Sequence, residues 1–181
     1  MNFRVASPSD ASAMLDIYAP FVSDTSLTFE LELPTVTAFA ERISNYLHRW
    51  PWLLAEENGR VAGYAYASQH RERAGYQWSV ECSIYIHPDF QGTGVAKMLY
   101  QLLFNILKEL GYRNVYAVIN LPNDRSVAFH ERLGFVYQFT FENVGYKLSR
   151  WKNVGWWMLQ LNEYSEHPDP VKKFNSQNVQ F

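Results

Sequence analysis

Apolar side chains recur every three or four residues in two stretches near the start of this chain of 181 residues, which predicts two helices. Ser7 can cap the first helix, and Pro8 suits its first turn because no backbone N–H is needed there. The second stretch begins after Pro34. The apolar stripes are Ala11, Met14, Leu15 and Tyr18 in the first helix and Phe39, Ile43, Leu47 and Trp50 in the second.

Alternating apolar and polar residues predict four strands in the first half of the chain. A short strand covers residues 2–5. Two apolar runs, 52–56 and 61–67, flank Asn58-Gly59, a dipeptide that strongly indicates a β-hairpin. Residues 76–86 then alternate strictly, so one face of that strand is apolar and the other is polar.

Helices and strands alternate in the second half of the chain. Helices are predicted over 95–110, where Gly111 is a natural stop, and over 124–133. Strand patterns lie between and after them, in "NVYAVI", "FVYQFTF" and "GWWMLQL". The order β-α-α-β-β-β-α-β-α-β-β predicts an α/β sandwich, a mixed sheet with helices on its faces.

The length of the chain favours one domain, which we expect over residues 1–162, because 181 residues are few for two separate cores. Residues 163–181 are polar and contain two prolines, so we expect a loosely held tail. The sequence contains no internal repeat and no low-complexity run.

Composition and charge narrow the classes of function. Hydrophobic residues make up 48% of the chain and charged residues 19%, which is an ordinary globular balance. A net charge of -2 gives no basic field for nucleic acid or for an anionic membrane, so we expect neither partner. The single cysteine, Cys82, allows no internal disulfide, and the start of the chain has no apolar signal core. We therefore expect a cytoplasmic protein.

Two glycines in the turn "QGTG" stand between the long alternating strand and the next helix. A Walker loop fails here because Val95 stands where lysine is needed, and a dinucleotide fingerprint fails because Lys97 occupies the third glycine position. In a third pattern, [QR]-x-x-G-x-[GA], small residues leave backbone N–H groups open at the positive end of a helix, where a diphosphate can bind. A sharp corner without a ligand is the alternative. The residues that match are Gln91, Gly94 and Ala96.

With its flanking strand and helix, this turn resembles the acetyl-CoA motif of the GNAT superfamily of N-acyltransferases. Four stretches, "RWPWLLAEENGRVAGYAYA", "WSVECSIYIHPDFQGTGVA", "AVINLPNDRSVAFHERLGF" and "GYKLSRWKNVGWW", are similar to its phosphinothricin acetyltransferase branch. Members of that branch acetylate the amine of phosphinothricin, methionine sulfoximine or related small amino acids. The resemblance implies the fold of the superfamily, an α/β fold with a mixed, mostly antiparallel sheet and helices on both faces, in three layers. It also implies the same activity here, with acetyl-CoA as co-substrate, and a homodimer because relatives are commonly dimers.

The resemblance also implies where acetyl-CoA binds. The pantetheine arm of the superfamily pairs with the backbone of the fourth strand, here Ile84, Tyr85 and Ile86. The diphosphate is expected on Gln91, Gly92, Thr93, Gly94, Val95 and Ala96. Asn123 is expected to contact the pantetheine arm, although it could equally cap a helix, and Ser126 is a further candidate.

Glu81 and His130 are the candidate catalytic residues. Glu81 lies on the polar face of its strand, where a carboxylate near the thioester can take a proton from the substrate ammonium; a glutamate on a solvated sheet face is the alternative. His130 occupies the position of a tyrosine that acts as general acid elsewhere in the superfamily. It could protonate the CoA sulfur or assist Glu81, and the sequence does not decide between these roles.

Arg71 and Arg73 are candidates for holding the carboxylate of an amino-acid substrate, and the branch implies that Phe29 forms part of the pocket wall. Solvated loop charges are the alternative for the arginines.

Cys82 falls on the apolar face of its strand, so we expect an inert thiol and direct attack of the amine. No metal-ligand spacing occurs, so no metal site is expected. Two rival functions are acetylation of peptide N-termini, as in ribosomal-protein acetyltransferases, and CoA sensing without turnover.

Overall fold

A mixed sheet of seven strands forms the middle layer of the fold, which we describe from a computed structural model covering residues 1–179 and 181. The strands are β1 (Asn2–Val5), β2 (Trp52–Glu57), β3 (Arg60–Gln69), β4 (Ser79–Ile86), β5 (Asn114–Leu121), β6 (Val136–Lys147) and β7 (Arg150–Gln160). The helices are α1 (Ala11–Ser23), α2 (Val36–Leu47), α3 (Val95–Leu110) and α4 (Asp124–Arg132). This order confirms the predicted sequence of elements.

The strands lie in the spatial order β1-β2-β3-β4-β5-β7-β6. Only the β4–β5 pair is parallel, and the other five pairs are antiparallel, which confirms the mixed, mostly antiparallel sheet. α3 and α4 cover one face through a core that includes Leu99, Leu103 and Phe135, whereas α1 and α2 cover the other through Met14 and Phe39. The fold therefore has the three expected layers.

Alternation along β4 is confirmed, but the strand starts later than predicted. Val80 and Cys82 pack in the α3 core, whereas Tyr85 packs on the α1–α2 side. Residues 74–76 form a 3₁₀ turn instead of strand, closed by the Tyr76 N–H donating to the Arg73 carbonyl at 2.9 Å. The predicted strand began too early because the alternation of side chains extends to Tyr76, where the backbone no longer pairs with another strand.

Trp50 also lies outside its predicted helix. α2 ends at Leu47, and Trp50 packs against the core on the α3 side instead of extending the α2 stripe. Pro51 supplies the reason, because a residue before proline is disfavoured in helical conformation.

The expectation of a loosely held tail is wrong. Within residues 163–181, Phe174 is only 4% exposed, and Val171 packs against the α3 core. Three hydrogen bonds fasten the backbone: the Lys172 N–H donates to the Leu110 carbonyl at 2.8 Å, the Trp78 indole donates to the Asp169 carbonyl at 2.8 Å, and the Arg113 guanidinium donates to the Glu163 carbonyl. One or two apolar anchors suffice to dock a segment whose average composition is polar.

Replacing Phe174 by alanine is expected to lower the free energy of unfolding by about 3 kcal/mol, because it removes a buried aromatic ring and leaves a cavity. Urea unfolding followed by circular dichroism measures the change. Phe181→Ala is the matched control: that ring is 52% exposed, so its loss should change stability by less than about 0.5 kcal/mol. Equal effects of the two substitutions would contradict docking through Phe174.

Candidate active site

A gap opens in the sheet between β4 and β5. The two strands pair only from Ser79 to Cys82 on β4 and from Asn114 to Ala117 on β5. Beyond these residues β4 continues along β3, and β5 continues along β7. Neighbouring segments 83–86 and 118–121 are therefore left facing each other without pairing.

Backbone groups of β4 point into this gap. The His87 N–H donates to the Ala62 carbonyl of β3 at 3.0 Å, and alternate residues of a strand turn their backbone groups to opposite sides. The N–H and C=O groups of Ile86 and Ile84 therefore face the gap. Tyr85 is turned toward β3, and its ring packs edge-on against Tyr18 at 4.8 Å. The expectation that Tyr85 offers its backbone to a cofactor does not fit this geometry.

The glycine turn sits at the end of β4 and leads directly into α3. Gly92 and Gly94 have φ angles of 80° and 91°, a conformation that residues with a side chain rarely adopt. A Cβ atom at either position would meet nothing within 4 Å. The glycines are thus required by backbone conformation, and they leave the mouth of the turn open.

Free amides of the turn are fewer than predicted. The N–H groups of Gln91 and Thr93 donate to the carbonyls of Pro88 and Phe90, inside the turn itself. Among the described residues no backbone acceptor takes the N–H of Gly92 or Gly94. The first helical N–H groups, those of Val95 and Ala96, have no intrahelical acceptor. These four amides can hold an anion, with Val95 contributing backbone only because its side chain is buried.

Arg125, at the start of α4, is a residue that the sequence interpretation missed. Its Nη1 donates to Gln91 Oε1 at 2.9 Å, which joins α4 to the glycine turn. A cation in the first turn of a helix is electrostatically unfavourable without an anionic partner, and that is the signal that could have revealed it. Asn123 caps the same helix, since its Oδ1 accepts the Ser126 N–H at 3.2 Å, so the capping alternative holds.

Glu81 is half-buried rather than spread on a solvated sheet face. Its side chain is 28% exposed, and its Oε1 accepts a hydrogen bond from His70 Nδ1 at 3.0 Å. Burial raises the pKa of the Glu81 carboxyl, while the His70 hydrogen bond and the charge of Arg71 oppose that shift. A carboxylate with a raised pKa is suited to accept and release a proton near neutral pH.

His70 is a second residue that the sequence interpretation missed. It lies just beyond β3, and Ser68 of that strand is directly opposite Glu81. A residue two positions further along falls on the same face, so the β3–β4 register would have revealed it. The sequence alone does not fix that register, because the loop between the strands has no recognisable turn signature.

His130 lies on the other face of the sheet from Glu81. It is 5% exposed, its Nδ1 donates to the Ser126 carbonyl at 2.8 Å, and its Nε2 accepts from the Tyr100 hydroxyl at 3.3 Å. Burial lowers the pKa of His130, so the imidazole is neutral at pH 7. Because Cys82 points into the α3 core with Tyr100, its neighbour Glu81 points away from His130. The geometry gives no support to a role of His130 in assisting Glu81.

Two cavities lie along the polar face of β4, one on each side of Glu81. The first, about 410 Å³, contains Phe29 and Ser83 in its wall. The second, about 680 Å³, contains Ser79, Arg71 and Arg73. The predicted substrate residues are therefore not brought together.

Two further groups in the first cavity were missed. Arg42 is the cation there, and it is held by Glu30 at 2.6 Å. Asn120 is 7% exposed and hydrogen-bonds to Ser26 at 2.7 Å through one end of its amide. The other end has no partner among the described residues, so a polar ligand group in the cavity would satisfy it.

Cys82 is buried, as predicted, and burial raises the pKa of its thiol to about 12. Within residues 1–179 and 181, no cluster of three or more His, Cys, Asp or Glu side chains is arranged to hold a metal ion. In the same residues, no helix combines the length and apolar character that spanning a membrane requires.

Comparison with known proteins gives consistent matches over nearly the whole chain. Residues 3–156 match the acetyltransferase (GNAT) domain family. The phosphinothricin N-acetyltransferase of Streptomyces viridochromogenes is 35% identical over 95% of this chain and 93% of its own length. The L-amino acid N-acyltransferase MnaT of Escherichia coli is 35% identical over 94% and 99%. The crystal structure of a Sinorhizobium meliloti phosphinothricin acetyltransferase in complex with acetyl-CoA superposes with a TM-score of 0.86, at 32% identity, over 97% of this chain and 98% of that one.

Gly94→Val is expected to weaken the binding of CoA about tenfold or more. A branched side chain disfavours the left-handed conformation by about 1–3 kcal/mol and covers the amides at the mouth of the turn. Isothermal titration with CoA measures the dissociation constant.

Gly75→Val provides the control for that substitution. A Cβ atom at Gly75 would also meet nothing within 4 Å, and its φ is not in the left-handed region. Gly75 lies outside the glycine turn that contains Gly92 and Gly94. CoA affinity should stay within about twofold of the unsubstituted protein. A similar loss in both variants would remove the turn from the binding site.

Proposed function

The chain belongs to the GNAT acetyltransferase family, and from that membership we propose that it transfers the acetyl group of acetyl-CoA to the amine of a small amino acid or a close analogue, of the phosphinothricin or methionine sulfoximine type. Bound acetyl-CoA supplies a thioester carbonyl as the electrophile and a thiolate as the leaving group. The observation that carries the proposal is the position of Glu81, half-buried beside the gap and between Ser79 and Ser83, which line the two cavities.

Several groups of the chain fit acetyl-CoA. Unpaired backbone groups of Ile84 and Ile86 face the gap, where an extended pantetheine arm can pair with them as a strand would. The amides of Gly92 and Gly94, with those of Val95 and Ala96, suit the diphosphate at the start of α3. Thr93, Gln91, Asn123 and Ser126 remain proposed contacts through their side chains.

Proton removal is the step we assign to Glu81. Only the neutral amine is a nucleophile, so the substrate ammonium must lose a proton before its nitrogen bonds to the acetyl carbon and the carbon–sulfur bond breaks. A carboxylate whose pKa is raised by burial holds that proton better than an exposed one. The departing thiolate takes up a proton, so CoA leaves as a thiol.

His130 stays a proposal as the acid that protonates the thiolate. Its Nδ1 proton is engaged by the Ser126 carbonyl, and its Nε2 faces the Tyr100 hydroxyl. Delivery of a proton to sulfur therefore requires rearrangement of these hydrogen bonds.

The first cavity is the acceptor site that we propose. Its volume of about 410 Å³ suits a small molecule, and the unpaired end of the Asn120 amide and the charged Glu30–Arg42 pair favour a polar one. Phe29 lines this cavity and stays a proposed wall residue. Arg71 and Arg73 line the second cavity, so we do not propose them as contacts of a substrate in the first; the charge of Arg71 acts on the Glu81 carboxyl instead.

A second copy of the chain is the partner that we propose for β6. This strand ends the sheet, so its outer edge is unpaired. It also carries exposed apolar residues that association with another chain would bury. Glu142 is the one exposed charge of β6, which suits pairing with an identical strand across a two-fold axis. The apolar residues are Val136, Tyr137, Phe139, Phe141, Val144 and Tyr146, joined by Leu148 and Trp151.

We also propose a cytoplasmic location, supported by the free thiol of Cys82.

Release of CoA thiol in the presence of different amines tests the function. Free small amino acids and sulfoximines are expected to support turnover, whereas short peptides are not, because the cavity is small. Turnover with peptides only would favour acetylation of peptide N-termini, and tight CoA binding without turnover on any amine would favour a sensor.

Glu81→Gln in the same assay should lower kcat by roughly 10²–10⁴-fold while CoA affinity is retained.

Tyr146→Glu is expected to convert a dimer to a monomer, because it places like charges at the proposed interface. Sedimentation velocity distinguishes the chain mass of 21.2 kDa from twice that value. Met98→Glu is the control, since Met98 is a 45% exposed apolar residue on α3, which packs against β2, β3 and β4. A monomeric unsubstituted protein would refute the proposed interface.

A further inference from the structure

Glu81 has a side-chain partner that the proposed reaction does not use. His70 Nδ1 lies 3.0 Å from Glu81 Oε1, and the two side chains are 13% and 28% exposed. Water therefore reaches this pair only partly, and the hydrogen bond between them is not weakened as it would be on an open surface.

We propose that His70 is a positioning residue for the acyl transfer: its Nδ1–H holds the Glu81 carboxylate in one orientation beside the β4–β5 gap and stabilises its ionised form. This inference rests on the proposed function, in which Glu81 is the base. It adds a residue, His70, that touches neither the amine nor the cofactor and affects the reaction only through Glu81.

The imidazole is fixed by aromatic rings from three parts of the chain. Tyr116 of β5 stacks on it at a centroid distance of 4.6 Å and an interplanar angle of 22°. Trp156 of β7 meets it edge-on at 5.7 Å, and Tyr76 of the 3₁₀ turn does so at 6.2 Å. A ring held in this way has little rotational freedom, so its Nδ1 is aimed at Glu81 before any substrate arrives.

Register explains why the pair meets at the reactive place. Glu81 is opposite Tyr116 across the parallel ladder, one residue before the last paired position of β4. His70 stacks on that same tyrosine from the neighbouring loop. The carboxylate is thereby held where the two strands are about to separate, which is where the thioester is expected.

Charged and titratable groups around the pair come from each neighbouring element. They are Arg71 on the loop, Tyr76 on the 3₁₀ turn and Tyr116 on β5, whereas Cys82 on β4 points into the α3 core on the opposite face. Of these, Arg71 lowers the pKa of Glu81, as His70 does, and burial raises it. Loss of His70 therefore raises the pKa of Glu81, and a larger fraction of the base is protonated at any pH below neutral.

The experiment compares His70→Phe with His70→Asn in the dependence of kcat/KM on pH. Phenylalanine keeps the aromatic stacking but has no N–H, whereas the asparagine amide can replace Nδ1–H. With phenylalanine we expect the acid limb to move up by about one pH unit, and the plateau to fall about tenfold, because a hydrogen bond to a charged group is lost. Asparagine should restore most of the limb position. KM for acetyl-CoA should stay within about twofold in both.

His167→Phe is the control, since that histidine is exposed in the C-terminal segment and should leave the limb unchanged. Adding His70→Phe to Glu81→Gln should produce no further loss, because the two residues act as one unit. An unmoved acid limb in His70→Phe, or a limb moved equally by asparagine, would overturn the inference even if Glu81→Gln abolishes turnover. Undiminished turnover in Glu81→Gln would instead refute the proposed base itself. If His70→Phe fails to bind CoA, the asparagine variant decides, because a displaced acid limb in that variant would overturn the inference.

Discussion

The short pairing between β4 and β5 is the constraint on which the site depends. Each strand has another partner, β3 or β7, so both can diverge after four paired positions without losing their place in the sheet. Divergence leaves polar backbone groups without partners in the middle of a folded domain, which is unfavourable unless a ligand supplies them. The glycine turn and Glu81 both lie beside this break, where we propose that the cofactor arm binds.

Much of the fold could be predicted from the sequence because its signals are local. α3 runs from Val95 to Leu110 as predicted, since Gly94 and Gly111 both adopt left-handed conformations that begin and end the helix. The Asn58-Gly59 hairpin forms as predicted for the same kind of reason. The docked Phe174 was not placed correctly, because its position is decided by contacts with residues far away in sequence. Trp50 was misplaced although a local signal, Pro51, follows it directly.

The candidate site divides in the same way. Glu81 and the glycine turn stand in one continuous stretch, so their proximity follows from the strand–turn–helix pattern alone. His70, Arg42 and Arg125 reach the site only through strand register and loop packing, which no short motif encodes. Phe29 and Arg73, proposed together as substrate contacts, line different cavities: Phe29 shares one with Ser83, and Arg73 shares the other with Ser79.

Burial of Cys82 has a practical consequence for work with this enzyme. The chain has one thiol, packed in the α3 core with a pKa of about 12, so at neutral pH almost none of it is thiolate. Disulfide reagents that become coloured on reaction with free thiols will therefore react with the released CoA and not with the folded protein. The same reagent becomes a reporter of unfolding when the core opens, with a single equivalent released for each chain.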